Sequence, residues 1–309
     1  MWVKRGIEVH FWVKPEVDFK NSMAISVQTN VTAMRAQGDL NRSHRALSSN
    51  FARISSGKRI NKAGDDAAGL AVAENLNTQN RSATMAKRNI NDGISIIQTM
   101  EGALNEIGDI LKRQKELAIQ YSSETLADTE RAYVVDEFEE LRLEVDRTAS
   151  NLQFNGIPLT HVGSPPTGSE LNVQVGVNDS DDDRIAIGVF KLHHDSLRYA
   201  ATKQSGVNFS KPRLSGMKRA REAIDGLGYM LDVVNSYRSK NGAVENRLEA
   251  ALNNMETYGE NLGASESRVR DADFAFETAE MSKHQIMQQA GTAILSQANS
   301  LPQSALRLI

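Results

Sequence analysis

Apolar side chains recur along much of this chain at alternating spacings of three and four residues. In "NINDGISIIQTMEGALNEIGDILKRQKELAIQY", positions Ile90, Ile94, Ile97, Glu101, Leu104, Gly108, Leu111, Lys115 and Ala118 step 4,3,4,3 throughout. This is the rhythm of a helix that buries one stripe against a partner, with Glu101, Gly108 and Lys115 as imperfect positions. After the turn residues of "SSETLADTE", Phe138, Leu141, Val145, Thr148 and Leu152 step 3,4,3,4. The connection is short enough for an antiparallel helical hairpin. Further on, Val244, Leu248, Ala251, Met255, Tyr258 and Leu262 step 4,3,4,3,4. The pattern predicts a mainly α fold: a long antiparallel helical bundle or coiled coil, nearly continuous helix over 23–160, and a second helical half near the C-terminus.

The middle of the chain changes period. Leu171, Val173, Val175 and Val177 alternate with polar residues, and Ile185-Ala186-Ile187 follows an Asn/Asp/Ser turn. Together with Pro158, Pro165 and Pro166 this predicts a β-hairpin after a Pro/Gly loop. Residues 190–215 are weakly patterned and are expected to be loop with some helix. The two ends, 24–60 and 276–309, are rich in Ser, Asn, Gln and Ala. Met281, His284, Gln285, Met287, Gln288, Ala290, Ile294, Leu295 and Ala298 suit a partner helix but are too small a face to make a core. Segments of that kind stay unfolded until a partner completes them. The N- and C-terminal helices are therefore expected to pair with each other and then with other copies.

Composition narrows the choice. Aromatics are 6% of 309 residues, and both tryptophans, Trp2 and Trp12, lie in the first 22 residues. An interior of Ala, Leu, Ile, Val and Met suits thin bundles in which helices approach closely. A net charge of -3 makes no electrostatic case for nucleic acid or an anionic membrane. Cysteine is absent, which removes disulfides, thiolate metal sites and thiol catalysis. There is no run of apolar residues long enough for a membrane span. Glu8, Lys14, Glu16 and Asp18 interrupt any signal-peptide core.

Three stretches invite a chemical reading. In "RINKAGDDAAGLAVAENL", Gly64, Asp65 and Asp66 could be a metal or phosphate loop. Neighbouring helical side chains diverge by about 100°, so adjacent aspartates do not close one chelating face. A carboxylate before a run of alanines serves instead as a helix cap, and no GxxxxGK[ST] pattern accompanies the glycines. "HHDSL" at 193–197 lacks the i, i+4 histidine spacing of helical zinc sites. "DSDDD" at 179–183 lacks the spacing, central glycine and terminal glutamate of a calcium loop. These read as two surface histidines and a solvated turn. Glu139, Glu140, Arg142, Glu144 and Arg147 read as a solvated helical face with i,i+3 and i,i+4 pairs. No HExxH or GxSxG occurs, so catalytic, cofactor-binding and metal residues are expected to be none.

Several long blocks resemble bacterial flagellin, the subunit of the flagellar filament. "RISSGKRINKAGDDAAG" and "RNINDGISIIQTMEGALNEIGDILKRQKELAIQ" are similar to its N-terminal half, together with "EVDRTASNLQFNG". "SRVRDADFAFETAEMSKHQIMQQAGTAILSQANSLPQSALRLI" is similar to its C-terminus. The match covers about 23–157 and 244–309. It implies a non-enzymatic, self-assembling structural subunit for swimming motility, of a short form without large outer domains. Residues 23–66 and 268–309 would make a terminal helical inner layer. Residues 67–267 would make a surrounding bundle with a β-hairpin, about 157–215 being the remnant of the variable region. The implied setting is extracellular: export unfolded by the flagellar type III apparatus with its chaperone, then assembly with the filament cap and hook-associated proteins. A hook–filament junction protein and a filament-borne metalloprotease are the alternatives, the latter disfavoured by the missing HExxH.

The resemblance also places Arg113, Leu117 and Glu137 on the helix patch by which Toll-like receptor 5 detects some relatives. The implied bundle seam is Ile90, Ile94, Ile97, Leu104, Leu111, Phe138, Leu141, Val145, Val244, Leu248, Met255 and Leu262, with Asp65 and Asp66 as the cap. In the connection before that cap, Gly57 and Gly64 would supply the turns. The family start resembles "MAISVQTN" at Met23, which leaves 1–22 without a counterpart and suggests a mis-assigned start.

Overall fold

The computed structural model describes residues 29–160, 170–205 and 214–306. The proposed start at Met23 and the extension 1–22 lie outside them. The elements in order are α1 (Val31–Ser56), α2 (Ala67–Tyr121), α3 (Asp128–Asn151), β1 (Gln153–Phe154), β2 (Ile157–Pro158), β3 (Glu170–Gln174), β4 (Arg184–Gly188), α4 (His194–Ser205), α5 (Met217–Arg270) and α6 (Phe274–Leu306). The chain divides into two units. One spans Met1–Asn61 and Asp271–Ile309, and the other Lys62–Arg270.

In the larger unit, α2 and α5 run antiparallel along their whole lengths. Paired positions mark the register: Asn77 with Glu266, Tyr258 with Gln79, Gln98 with Glu245 and Arg238 with Glu101. α3 folds back on α2 through the 122–127 turn, so that Gln114 Nε2 donates to the Phe138 carbonyl. Every residue of the expected seam lies in the interior or packs against it. The buried stripe of α2 is offset from the sequence reading, however. It follows Ile90, Gly93, Ile97, Met100, Leu104, Ile107, Leu111, Gln114 and Ala118. Glu101 and Lys115, imperfect as interior residues, sit at its edge, and Glu101 accepts from Arg238 Nε at 2.7 Å.

α5 is far longer than the 244–262 pattern suggested. Its buried row begins at Ala220, Ala223, Leu227, Met230 and Val234, and runs in the same 3,4 rhythm into Val244 and Leu248. Ala and Gly weigh little in an apolar pattern, which hid the first half of this helix. Residues 190–215 include α4, which packs on α5. His194 is a correction: expected on the surface, it is 1% exposed.

The hairpin pairs Leu171 with Ile187 and Val173 with Ile185. Val175 and Val177 do not extend it. The Val175 and Gly176 amides both turn to the Asp183 carbonyl at 2.8 and 3.2 Å, ending the ladder in a bulge-like turn. A smaller hairpin, β1–β2, was not anticipated, although its Asn155–Gly156 turn has both residues at positive φ, 49° and 78°. Asn-Gly is the strongest short hairpin signal. Against α2, Val173 lies 3.2 Å from where a Cβ on Gly93 would stand, so glycine there lets sheet and helix meet.

In the smaller unit, α1 and α6 form an antiparallel pair. Asn30 Nδ2 donates to the Ala298 carbonyl at one end, and Arg53 Nη1 to Glu277 Oε1 near the other. Lys58 and Asp271 form an isolated antiparallel bridge beyond it. The facing stripes are Ala33, Ala36, Leu40, Ser43, Leu47, Asn50 and Ile54 against Glu277, Met281, His284, Gln288, Gly291, Leu295 and Ala298.

Candidate functional site

Among the described residues no cluster of three or more His, Asp or Glu side chains could hold a metal ion. The features that could serve function are surfaces and turns.

The turn after α1 depends on Gly57, whose φ of 69° is left-handed and which therefore ends the helix without a Cβ penalty. Its carbonyl accepts from the Ala272 amide at 3.0 Å. Gly64 lies in the next turn, but not at positive φ. Asp66 is the N-cap of α2: its backbone is extended, and Oδ1 accepts from the Gly69 amide at 2.8 Å. Asp65 points the other way, accepting from the Lys62 amide at 2.9 Å. The expected double cap is thus one cap and one turn lock.

On α1 the buried side chains are Ser43 and Asn50, both polar. Large apolar residues instead face outward: Val31, Met34 and Phe51 on α1, and Phe274, Phe276, Ile286, Met287 and Ile294 on α6. Phe51, Phe274 and Ile286 are each about two-thirds exposed, at 66%, 65% and 65%. The sequence set for α6 therefore belongs to two faces. Met281, His284, Gln288, Leu295 and Ala298 meet α1, whereas Gln285, Met287, Ala290 and Ile294 are exposed.

On the larger unit, Arg113 Nε and Nη2 both donate to Glu137 Oε1, at 2.9 and 2.8 Å, and Nη1 donates to Glu116 at 3.2 Å. Hydrogen bonding to Glu137, and then to Glu116, raises the Arg113 pKa. Arg113 and Glu137 thus form a charged ridge bridging α2 and α3. Leu117 is 1% exposed and lies beneath it in the core. Its side chain is therefore in the core and not on the exposed surface that Arg113 and Glu137 share.

A self-complementary pair of terminal helices with unfinished apolar faces is the mark of an assembling subunit, and the comparisons agree. Residues 27–160 match the bacterial flagellin N-terminal helical region and 224–309 the C-terminal helical region. The chain is 38% identical to a flagellin of Halalkalibacterium halodurans, the match covering 92% of this chain and 99% of that protein. It is 37% identical to a flagellin of Bacillus subtilis over the same shares. It is 39% identical to a flagellar filament core protein of Brachyspira hyodysenteriae, again over 92% and 99%. The chain belongs to the bacterial flagellins. The fold is shared more widely. A putative flagellar hook-associated protein from Vibrio parahaemolyticus superposes with a TM-score of 0.53 at 12% identity, over 67% of this chain and 100% of that one. Near-complete coverage of compact relatives fits a short form without a large outer domain. No helix of the described residues is long and apolar enough to cross a membrane.

Proposed function

We propose that this protein is the structural subunit of an extracellular bacterial flagellar filament and self-assembles through its terminal helices. The observation that carries this reading is the row of exposed Phe, Ile and Met side chains on α1 and α6, in a family of filament subunits. An isolated helix pair has nothing to cover them, whereas neighbouring copies would. Residues 23–66 with 268–309 are the inner layer and 67–267 the surrounding bundle. Export proceeds unfolded through the flagellar type III apparatus with a chaperone, followed by assembly beneath the cap on hook-associated proteins. Electron microscopy of purified protein seeded with filament fragments tests this. Long helical tubes are expected, and short collars or unseeded monomers would overturn it.

The Arg113–Glu137 ridge supports a second reading, recognition of the monomer by Toll-like receptor 5. Its guanidinium and carboxylate are already paired across two helices of the bundle. Purified monomer in a receptor reporter assay should activate, and R113A should weaken the response. A flat response at high dose refutes this reading.

A further inference from the structure

α4 is held in the larger unit by an arrangement that acid should disrupt. Its N-terminus is capped from another helix: the His194 amide donates to Asp146 Oδ1 of α3 at 2.9 Å. The same oxygen lies 3.5 Å from His193 Nδ1, and Arg142 Nη1 stands 3.7 Å from the other carboxylate oxygen. The His194 ring is 1% exposed, and its Nε2 finds no hydrogen-bond partner among the described residues. Beside it Leu192, Leu197 and Ala201 are fully buried. Over 194–203, the buried residues of α4 are His194, Leu197 and Ala201. So short a row makes the docking of α4 weak beside the long α2–α5 seam, and weakly docked elements open first.

We propose that His194 and Asp146 form an acid-released latch, which undocks α4 from α3 and α5 while the α2–α5 pair stays folded. A neutral imidazole is tolerated in this site. A protonated one carries N–H donors on both nitrogens, and Nε2–H⁺ would be buried without an acceptor. The charges acting on His194 are mixed. Asp146, Asp195 and Glu139 favour protonation, and Arg142 opposes it. Burial outweighs them all and lowers the pKa from 6.5 to about 4. The direction of the pH dependence follows. Above pH 6.5 the ring is neutral whether α4 is docked or free, and the latch has its full strength. As pH falls from 6.5 towards 4 only the released form takes up the proton, so docking weakens throughout that window.

Hydrogen exchange of the full-length monomer, corrected for intrinsic pH dependence, reads this directly. Between pH 7 and pH 4, protection of 190–205 should fall by up to about a hundredfold, while that of 100–111 holds. In H194Q and H194L the fall should flatten, whatever the absolute stability of the variant. Three results overturn the latch: no fall in the parent protein, an undiminished fall in both variants, or a parallel fall in 100–111. Should neither variant fold, imidazole titration of the parent by NMR decides instead. A His194 midpoint near 6.5 refutes the proposal, and one near 4 supports it.

Discussion

The two units are built on the same rhythm and come to opposite ends. Each contains an antiparallel helix pair whose facing residues step three and four. In Lys62–Arg270 that stripe is Ile90, Ile97, Met100, Leu104, Ile107 and Leu111, all at most 1% exposed. In the terminal unit the equivalent stripe mixes Leu40, Leu47, Met281 and Leu295 with Ser43, Asn50, Glu277, His284 and Gln288, while a second set of bulky apolar residues, Phe51, Phe274, Phe276 and Ile286 among them, is exposed. Period alone specifies that two helices pair. What fills the period decides whether the pair stands alone or waits for further copies. Fully burying a Phe, Ile or Met is worth about 1.5–3 kcal/mol. The outward residues of α1 and α6 hold that energy in reserve for assembly.

The comparison breaks most visibly on the outward face of α6. Exchanging Phe276 and Ile286 for aspartate should abolish filaments in seeded electron microscopy while leaving the thermal unfolding of the monomer nearly unmoved. Both side chains are already exposed, at 62% and 65%, so the monomer loses little when they change. The reverse experiment belongs to the other unit. Leu104→Ala removes a side chain with 0% exposure from the α2 stripe and should cost the monomer about 2–5 kcal/mol. Chemical denaturation checks the magnitude. A core variant that unfolds no more easily than the parent would sink the claim that this unit is self-sufficient.

The same contrast explains what could be read from the sequence. The larger unit announced itself because Ile, Leu and Val stand out at heptad spacing, and the hairpin showed in an alternation that includes Leu171, Val173, Ile185 and Ile187, though not its register or its end before Val175. The offset of the α2 stripe did not, because Gly93 and Gln114 are buried there and neither scores as apolar. Half of α5 was hidden for the same reason, its row opening on Ala220 and Ala223. His194 looked like a surface residue because burial of a histidine depends on α3 and α5, far away in sequence. For the candidate surfaces, type was legible and exposure was not. Nothing local to Leu117 says that it lies under the Arg113–Glu137 ridge rather than on it.

Smaller effects sharpen the comparison where the units are trimmed rather than filled. At Gly93, a Cβ would stand 3.2 Å from Val173 and 3.4 Å from Leu248. Gly93→Leu should cost about 1–3 kcal/mol by overpacking. Gly291 is the counterpart in the terminal unit, where a Cβ would stand 3.0 Å from the Leu40 side chain. With so little else packed around that contact, Leu40 has room to yield. Gly291→Ala should therefore leave monomer stability nearly unchanged, and denaturation of the two variants side by side tests the difference.

The smallest effect separates two adjacent aspartates. Asp66→Ala removes the acceptor for the Gly69 amide and should cost about 0.5–2 kcal/mol, the range for a lost N-cap. Asp65 accepts from the exposed Lys62 amide, which water can satisfy in its place, and caps no helix N-terminus, so Asp65→Ala should cost less. Asp66→Asn should restore most of what alanine loses, because asparagine also accepts from the N-terminal amides. Thermal unfolding of the three variants ranks them. Equal losses at Asp65 and Asp66 would mean that the pair acts as one cap after all, and that the turn before α2 is as dependent on its side chains as the helix it starts.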